Sequence, residues 1–289
     1  MKIGISRAEF LKACGFALST LTVSALQAED SRPAATSRTR PFRFAIASDL
    51  HFGQVDTDYH NTTAALVAAL NEEAGGRGLN AVFLNGDLVH DTANMYGELK
   101  DALKRLSTPV YVTKGNHDFA TPEHSWKDAW GYPSNHTVDM GDLAFVLADT
   151  SAGADGGIYR PADVNWLTEE LERLQKKTMI FVMLHIAQRP RYIQGWPKWG
   201  IRDKDAEAGQ AVMTLLESCS NVKAIFHGHN HNETGVYRSG GKKYFFDSHI
   251  GGSFGNKKGY RIVEIDAKNA VTTYQYNMEQ SVIMNQDAI

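Results

Sequence analysis

The feature that most constrains the fold is a recurring unit in which a short apolar run ends in a polar motif. Five such motifs follow one another along the chain: Asp49-Leu50-His51, Gly86-Asp87, Gly115-Asn116-His117-Asp118, His185 and Gly228-His229-Asn230-His231. Short apolar runs bounded by turn residues are typical of strands that are buried on both faces. We therefore expect a sheet whose strand ends carry the polar groups.

Stretches with helical spacing of apolar residues separate several of these runs. Strands are predicted over 42–47, 81–84, 110–112, 143–147, 179–184 and 222–226, and helices over 61–73, 96–106, 162–176 and 206–218. Three later runs, 244–246, 260–265 and 271–276, are predicted as antiparallel strands. The alternation favours an α/β fold, in which ligands bind at the carboxyl ends of the strands. The five motifs are therefore expected to converge.

The composition limits the classes of partner. The chain has 289 residues, 43% of them hydrophobic, and a formal net charge of −3. It lacks the basic excess that is typical of nucleic-acid binding, so no nucleic-acid partner is expected. Beyond residue 30, no apolar run approaches the roughly 20 residues of a membrane-spanning helix, so no transmembrane span is predicted in the mature chain.

The first residues have the layout of a secretory leader. Lys2, Arg7 and Lys12 precede an apolar stretch over 13–26, and a polar linker follows. This pattern predicts a leader over 1–28, a linker over 29–41 and one domain over 42–289, with export to the periplasm or the extracellular space. Residues 6–12 resemble a twin-arginine motif that lacks its second arginine, and the alternative for the whole stretch is an N-terminal helix.

The motifs contain the ligands that a two-metal centre needs. Imidazole, carboxylate and amide groups without thiolate suit Mn, Fe, Zn or Co. The Asp87 carboxylate offers two oxygens and is expected to bridge two ions, with one ion on each oxygen. Such a pair of ions lowers the pKa of a shared water and stabilises in-line displacement at phosphorus. This chemistry predicts hydrolysis of a small phosphoester.

His117 is expected to serve the reaction itself. It is placed to contact a phosphoryl oxygen or to protonate the leaving alkoxide, with Asp118 or another nearby carboxylate as its partner. Each motif alone has a simpler explanation, because Gly-Asp often forms a turn and Asn-His-Asp can cap a helix. The ordered conjunction of all five motifs favours the metal site over these explanations.

Over about residues 42 to 265, the ordered set D-x-H, G-D, G-N-H-D, H and G-H-x-H resembles the calcineurin-like metallophosphoesterases. The resemblance implies a four-layer αββα sandwich around a dinuclear metal site at the strand ends. It implies that one metal is held by Asp49, His51, Asp87 and His231, and the other by Asp87, Asn116, His185 and His229. It also implies that His117 is the catalytic or phosphate-contacting histidine.

Departures from the family pattern indicate which branch of the metallophosphoesterases the sequence resembles. His90 stands where purple acid phosphatases carry a ligating tyrosine, and residues 86–92 lack the G-D-x-x-D-R-G run of the serine/threonine phosphatases. The motifs look closest to the bacterial cyclic-nucleotide and glycerophosphodiester phosphodiesterases, many of which have an acid or amide at the position of His90. Asp91 and Asp118 both remain candidates for the partner of His117, and His90 is either a partner of a ligand or an ordinary surface residue.

The segment over 186–209 is the predicted substrate wall. It follows the ligand His185 and carries Arg189 and Arg191, which suit phosphate, among several aromatic residues. Asn116 is a further candidate for substrate contact. The alternative for the segment is a packed loop with solvated charges. We expect a phosphodiesterase; the alternatives are a phosphomonoesterase, a nuclease of the same superfamily, or a metal-binding protein without turnover.

Overall fold

The structure, a computed structural model, describes residues 41–118, 121–151, 159–190, 200–201, 205–247, 249–255 and 258–289. Its strands, in chain order, are β1 (Phe42–Ala47), β2 (Ala81–Asn85), β3 (Val110–Thr113), β4 (His136–Met140), β5 (Leu143–Ala148), β6 (Met179–Leu184), β7 (Ala187–Pro190), β8 (Gly200–Ile201), β9 (Val222–His227), β10 (Val236–Ser239), β11 (Lys242–Phe246), β12 (Gly259–Ile265), β13 (Val271–Asn277) and β14 (Val282–Ala288). Its α-helices are α1 (Tyr59–Arg77), α2 (Tyr96–Leu103), α3 (Glu123–Trp130), α4 (Val164–Arg173) and α5 (Ala206–Ser218).

Two mixed sheets hold the motif-bearing strands. The first has the order β14-β13-β12-β1-β2-β3, and the second has the order β10-β11-β9-β6-β5-β4. Strands β1, β2 and β3 run parallel to one another, and so do β5, β6, β9 and β11. Because parallel strands end at the same edge, the motifs after β1, β2 and β3 lie together, as do those after β6 and β9.

Apolar side chains fill three interfaces between four layers. An aromatic core lies between the sheets, where the rings of Phe44 and Phe145 pack edge to face at 4.9 Å. Leu66 of α1 and Leu99 of α2 are buried against the outer face of the first sheet. Helices α4 and α5 cover the second sheet in the same way. This arrangement confirms the predicted αββα sandwich.

The predicted elements are found, with differences at their ends. Helix α1 was expected over 61–73 but begins at Tyr59, where the Asp58 side chain caps the Asn61 amide at 3.4 Å. It continues through Gly75 and Gly76 and ends before Gly78, whose φ of 79° is left-handed. Glycine lowers helix propensity, but only the left-handed residue terminates the helix.

Several elements escaped prediction because they lack a long apolar run. These are α3, β4, β10 and β14, of which β14 is a largely exposed edge strand. Strand β11 pairs parallel with β9 and antiparallel with β10, so its prediction as a purely antiparallel strand is wrong. The predicted loop over 186–209 begins as strand β7, and residues 191–199 lie outside the described residues. None of the helices in the described ranges is long and apolar enough to cross a membrane.

Candidate metal centre

The ends of four strands bring the predicted ligands into two adjoining groups. The first group contains Asp49, His51 and His231, and the second contains Asp87, His185 and His229. Within each group, the potential ligand atoms lie within 4.8 Å of one another. All six side chains are buried except that of His229, which is partly exposed. Sequence motifs up to 182 residues apart therefore meet in space.

Asn116, the seventh predicted ligand, lies on the turn after β3. Its side chain is 5% exposed, and its Oδ1 makes no hydrogen bond within the described part of the chain. A buried amide oxygen without a hydrogen-bond donor is costly unless another positive group satisfies it. This oxygen therefore suits a metal ion.

The spacing of the ligand atoms fits bound cations. The Nε2 atoms of His51 and His231 are 3.0 Å apart, and Nε2 of His231 is 3.2 Å from Oδ1 of Asp49. In the second group, Nε2 of His185 is 3.2 Å from Oδ2 of Asp87. Two ligands bound at about 2.1 Å and at right angles are about 3 Å apart. The mixed nitrogen and oxygen set fits two ions of the kind predicted.

The two oxygens of Asp87 have different environments. Oδ1 accepts a hydrogen bond of 2.7 Å from the backbone N–H of His117. Oδ2 lies 3.2 Å from Nε2 of His185 and 3.7 Å from Nε2 of His51, so it faces both groups. The expectation of one metal on each oxygen stays a prediction. The turn after β3 folds over Oδ1, and Oδ2 is the oxygen that faces both groups of potential ligand atoms.

Four of the ligands have left-handed backbones. The φ angles are 56° at Asp49, 46° at His51, 51° at Asp87 and 65° at His229. Non-glycine residues seldom adopt this region, and such strain clusters at functional sites. Hydrogen bonds between the strand-end turns hold these backbone conformations. The Asp49 amide donates to the carbonyl oxygen of Gly86 at 3.0 Å, and the His51 amide donates to that of Asp87 at 2.9 Å.

The glycine at position 86 is required by close approach as well as by its φ of 86°. A Cβ atom there would overlap the ring of His185. Glycine is therefore needed in the Gly-Asp motif for a steric reason, because it lets the turn after β2 pass close to His185 on the neighbouring sheet.

Burial and charge set the protonation of the metal-free centre. Burial lowers the pKa of His51 and of His229 to about 3, so both rings are neutral and have a nitrogen lone pair to offer. Burial also disfavours charge on His185, but Asp87 and Asp49 outweigh it and raise its pKa to about 9. Burial would raise the pKa of Asp49, but His185 and His231 lower it to about 2. Without metal, a proton on His185 thus balances the carboxylates, and a bound cation would replace it.

Hydrogen bonds on the far side of the rings orient three ligands. Nδ1 of His185 lies 2.6 Å from the carbonyl oxygen of Asn85, and Nδ1 of His231 lies 3.0 Å from that of Phe254. Nδ1 of His51 lies 2.8 Å from Nδ1 of His90. Such contacts fix which ring nitrogen carries the proton. Of the two possibilities for His90, the structure favours a partner of the predicted ligand His51.

His117 is paired with Asp91, and Asp118 has a different role. Nδ1 of His117 lies 2.9 Å from Oδ1 of Asp91. The Asp118 carboxylate is fully buried and accepts hydrogen bonds from the amides of Leu88, Val89 and Gly115 and from the Tyr96 hydroxyl. The expected catalytic role of Asp118 is therefore corrected, because both of its oxygens are used to hold the turns together. Burial, helped by Asp87, raises the pKa of Asp118 to about 6.

A cavity of about 350 Å³ opens over the ligands. It is lined by His51, Asp87, His117, Tyr159, His229, Asn230, His231, Asn232 and Phe254. The ring of Tyr159 lies 4.5 Å from that of His229, and the ring of Phe254 stacks on His231 at 4.3 Å. Sequence analysis missed both aromatic residues; the only signal for Phe254 was the glycine-rich run around it, over 251–255.

The predicted substrate wall is not supported at Arg189. This side chain is partly buried, donates from Nη2 to the Ser239 hydroxyl at 2.8 Å and does not line the cavity. Arg191 lies outside the described residues. In the part of the chain that the structure describes, the side chains of Tyr159 and Phe254 line the cavity beside the predicted metal ligands, together with Asn230 and Asn232.

Two solved structures share the fold. A dimetal phosphatase from Danio rerio superposes with a TM-score of 0.64 at 12% identity, covering 86% of this chain and 98% of that one. A purple acid phosphatase from yellow lupin superposes with a TM-score of 0.59 at 13% identity, covering 88% of this chain and 54% of that one. At these identities, the likeness concerns the fold alone.

Sequence comparison identifies the family. A probable cyclic nucleotide phosphodiesterase of Coxiella burnetii is 23% identical over 155 residues, which are 53% of this chain and 60% of that protein. The match thus spans less than two thirds of the length of this relative. The family model described as calcineurin-like phosphoesterase matches residues 42–233, which include every predicted metal ligand. The chain therefore belongs to the calcineurin-like phosphoesterase family.

Proposed function

We propose that this chain is a metal-dependent hydrolase of small phosphoesters, with a preference for diesters. One observation carries the proposal: Oδ2 of Asp87 faces both groups of ligand atoms, while His117 lines the same cavity. This geometry suits two ions that Asp87 would help to hold, with an acid–base group beside them. The mixed ligand set supports Mn, Fe, Zn or Co as the ions.

Each ligand group would hold one ion. Asp49, His51 and His231 form one site, His185 and His229 form the other, and Asp87 serves both. Asn116 would complete the second site through its amide oxygen. When bound, the two ions supply a water of lowered pKa and positive charge for the phosphoryl oxygens.

His117 contributes the proton chemistry. Asp91 binds Nδ1 of His117, so Nε2 is the nitrogen left for the substrate. From that nitrogen, the imidazole can donate a hydrogen bond to a phosphoryl oxygen or a proton to the leaving alkoxide.

The cavity lining supports the preference for diesters. A monoester carries two negative charges, which proteins commonly bind with Arg or Lys, yet the described residues that line the cavity include neither. Tyr159 and Phe254 instead offer ring faces to a second ester group. The Coxiella relative, a probable cyclic nucleotide phosphodiesterase, supports the same preference. The net charge of −3 does not favour the alternative of a nuclease.

The test is reconstitution of the purified protein with Mn, Fe, Zn or Co, followed by metal analysis and two assays. We expect two metal equivalents and faster turnover of bis(p-nitrophenyl) phosphate than of p-nitrophenyl phosphate. A strong preference for the monoester would overturn the diesterase assignment. Two bound equivalents without hydrolysis of either ester would instead identify a metal-binding protein without turnover.

We further propose that residues 1–28 direct export to the periplasm or the extracellular space. The support is their sequence alone: a basic start, an apolar stretch and a polar sequel. Expression in a bacterial host, with fractionation of the full chain beside a chain that lacks these residues, tests the proposal. Equal retention of both chains in the cytoplasm would refute it.

A further inference from the structure

His90 lies at the junction of the metal ligands and the proton-transfer group. Its Nδ1 is 2.8 Å from Nδ1 of His51, and its ring stacks on that of His117 at 4.5 Å with an interplanar angle of 13°. Its Nε2 is 3.8 Å from Oδ2 of Asp91. The side chain is 23% exposed, so it is not part of the hydrophobic core.

The direction of the hydrogen bonds follows from the ligand geometry. Nε2 of His51 lies in the ligand group, 3.0 Å from Nε2 of His231, and must keep its lone pair for a metal. A neutral imidazole has one N–H, so the proton of His51 belongs on Nδ1 and is donated to Nδ1 of His90. The proton of His90 then belongs on Nε2, on the side of Asp91.

Asp91 links the contacts between His51 and His90 to His117, which lines the cavity. Its Oδ2 faces His90, and its Oδ1 lies 2.9 Å from Nδ1 of His117. One connected set of contacts therefore orders the rings of His51, His90 and His117. Substitution of the middle ring would release the outer two.

We propose that His90 is a positioning residue that holds His51 in the Nδ1-protonated tautomer required for metal binding and, through ring stacking and Asp91, orients His117. The inference rests on the proposed function, because it assumes that His51 is a metal ligand. The residues that orient the ligands His185 and His231 from behind are neutral backbone carbonyls, and His90 gives His51 an equally neutral acceptor. An Asp at position 90 would place a second carboxylate beside that of Asp91, and the neutral His90 avoids this extra negative charge.

Three substitutions of His90 separate its contacts. In His90→Asn, the short amide can occupy the position of Nδ1 and accept from His51. In His90→Gln, the longer amide reaches the position of Nε2 and the side of Asp91 instead. His90→Ala removes both contacts and the ring stack, and His124→Ala, an exposed histidine on α3, is the matched control.

Metal binding is measured by titrating metal-free protein with Zn²⁺ against a competing chelator. For His90→Ala, we expect the affinity for one of the two equivalents to fall about 10- to 100-fold, the usual effect of losing such a partner. His90→Asn should recover most of this loss, whereas His90→Gln should not. In turnover of bis(p-nitrophenyl) phosphate at saturating metal, His90→Asn should still show a lowered kcat with little change in KM, because His117 is no longer stacked.

Several outcomes would overturn the inference. Unchanged affinity in His90→Ala would do so, and equal recovery by Asn and Gln would reduce the role of His90 to packing. Because His51, His90 and His117 are also close enough to hold an ion, a third equivalent lost in His90→Ala would make His90 a ligand instead. If the wild type binds two equivalents without hydrolysis, the proposed function fails while the affinity test of His90 stands; if it binds none, both fail.

Discussion

The two sides of the cavity are built in opposite ways. The metal side consists of buried side chains on strained strand ends, and its ligands are tied by hydrogen bonds between turns. The opposite side, which we propose as the substrate side, carries the rings of Tyr159 and Phe254 beside Asn230 and Asn232, and Phe254 is 58% exposed. On the proposed function, the first side sets the chemistry, and we expect the second side to tolerate substitution without loss of metal. The difference separates what the reaction requires from what selects the substrate.

The largest expected effect is at the shared ligand. Asp87→Ala removes the oxygen that faces both metal groups, so we expect loss of both metal equivalents and at least about a thousandfold loss of kcat. Metal analysis and a diesterase assay measure the two effects. Asp128→Ala, which alters an exposed carboxylate on α3, is the control and should change neither. Full activity in metal-free Asp87→Ala would remove the basis of the proposed function.

The next effect separates the two carboxylates beside His117. Asp91→Asn removes the negative partner of the imidazole, and we expect a loss of about a hundredfold in kcat with both metals retained. Asp118→Ala leaves three amides and a hydroxyl without their acceptor, so it should lower the free energy of unfolding by about 3 kcal/mol or more. Denaturant titration beside steady-state kinetics tests both. Normal stability of Asp118→Ala would contradict its assignment to the turns.

These two residues also show where sequence reasoning stops. The ligands could be predicted because each chemical type follows an apolar run, and parallel strands must end at the same edge. Whether Asp91 or Asp118 is the partner of His117 could not be predicted, because it depends on the direction of each side chain after a turn. Asp91 has a left-handed φ of 59°, which no pattern of residue types signals.

The substrate side was beyond prediction for a related reason. The position of Arg189 and Arg191 soon after His185 in the sequence predicts substrate contact, but the Arg189 side chain turns toward Ser239. Phe254 is 69 residues after that ligand and reaches the cavity because its carbonyl oxygen binds His231. Loop residues are placed by such tertiary contacts, and these leave no periodic signal in the sequence.

Metal affinity at the site that contains His185 is expected to depend on pH. Because Asp87 and Asp49 outweigh burial and raise the pKa of His185 to about 9, this ring carries a proton at neutral pH in the metal-free protein. A metal ion must displace that proton, so affinity for the second site should rise with pH, by about tenfold per unit below pH 9. Chelator competition at several pH values measures the slope. A flat profile would mean that His185 is neutral before the metal binds.

The smallest effect is expected on the substrate side. Phe254→Ala removes a ring face beside the metal ligands, so KM for bis(p-nitrophenyl) phosphate should rise several-fold to about tenfold, the worth of one stacking contact. The same variant should change KM for p-nitrophenyl phosphate less, since a monoester has no second ester group to place there. Val55→Ala, which alters an 80% exposed residue that does not line the cavity, is the control. Because the backbone carbonyl of Phe254 still holds His231, metal content should stay at two equivalents. A loss of metal in Phe254→Ala would mean that the two sides are coupled, and the separation of chemistry from substrate selection would then fail.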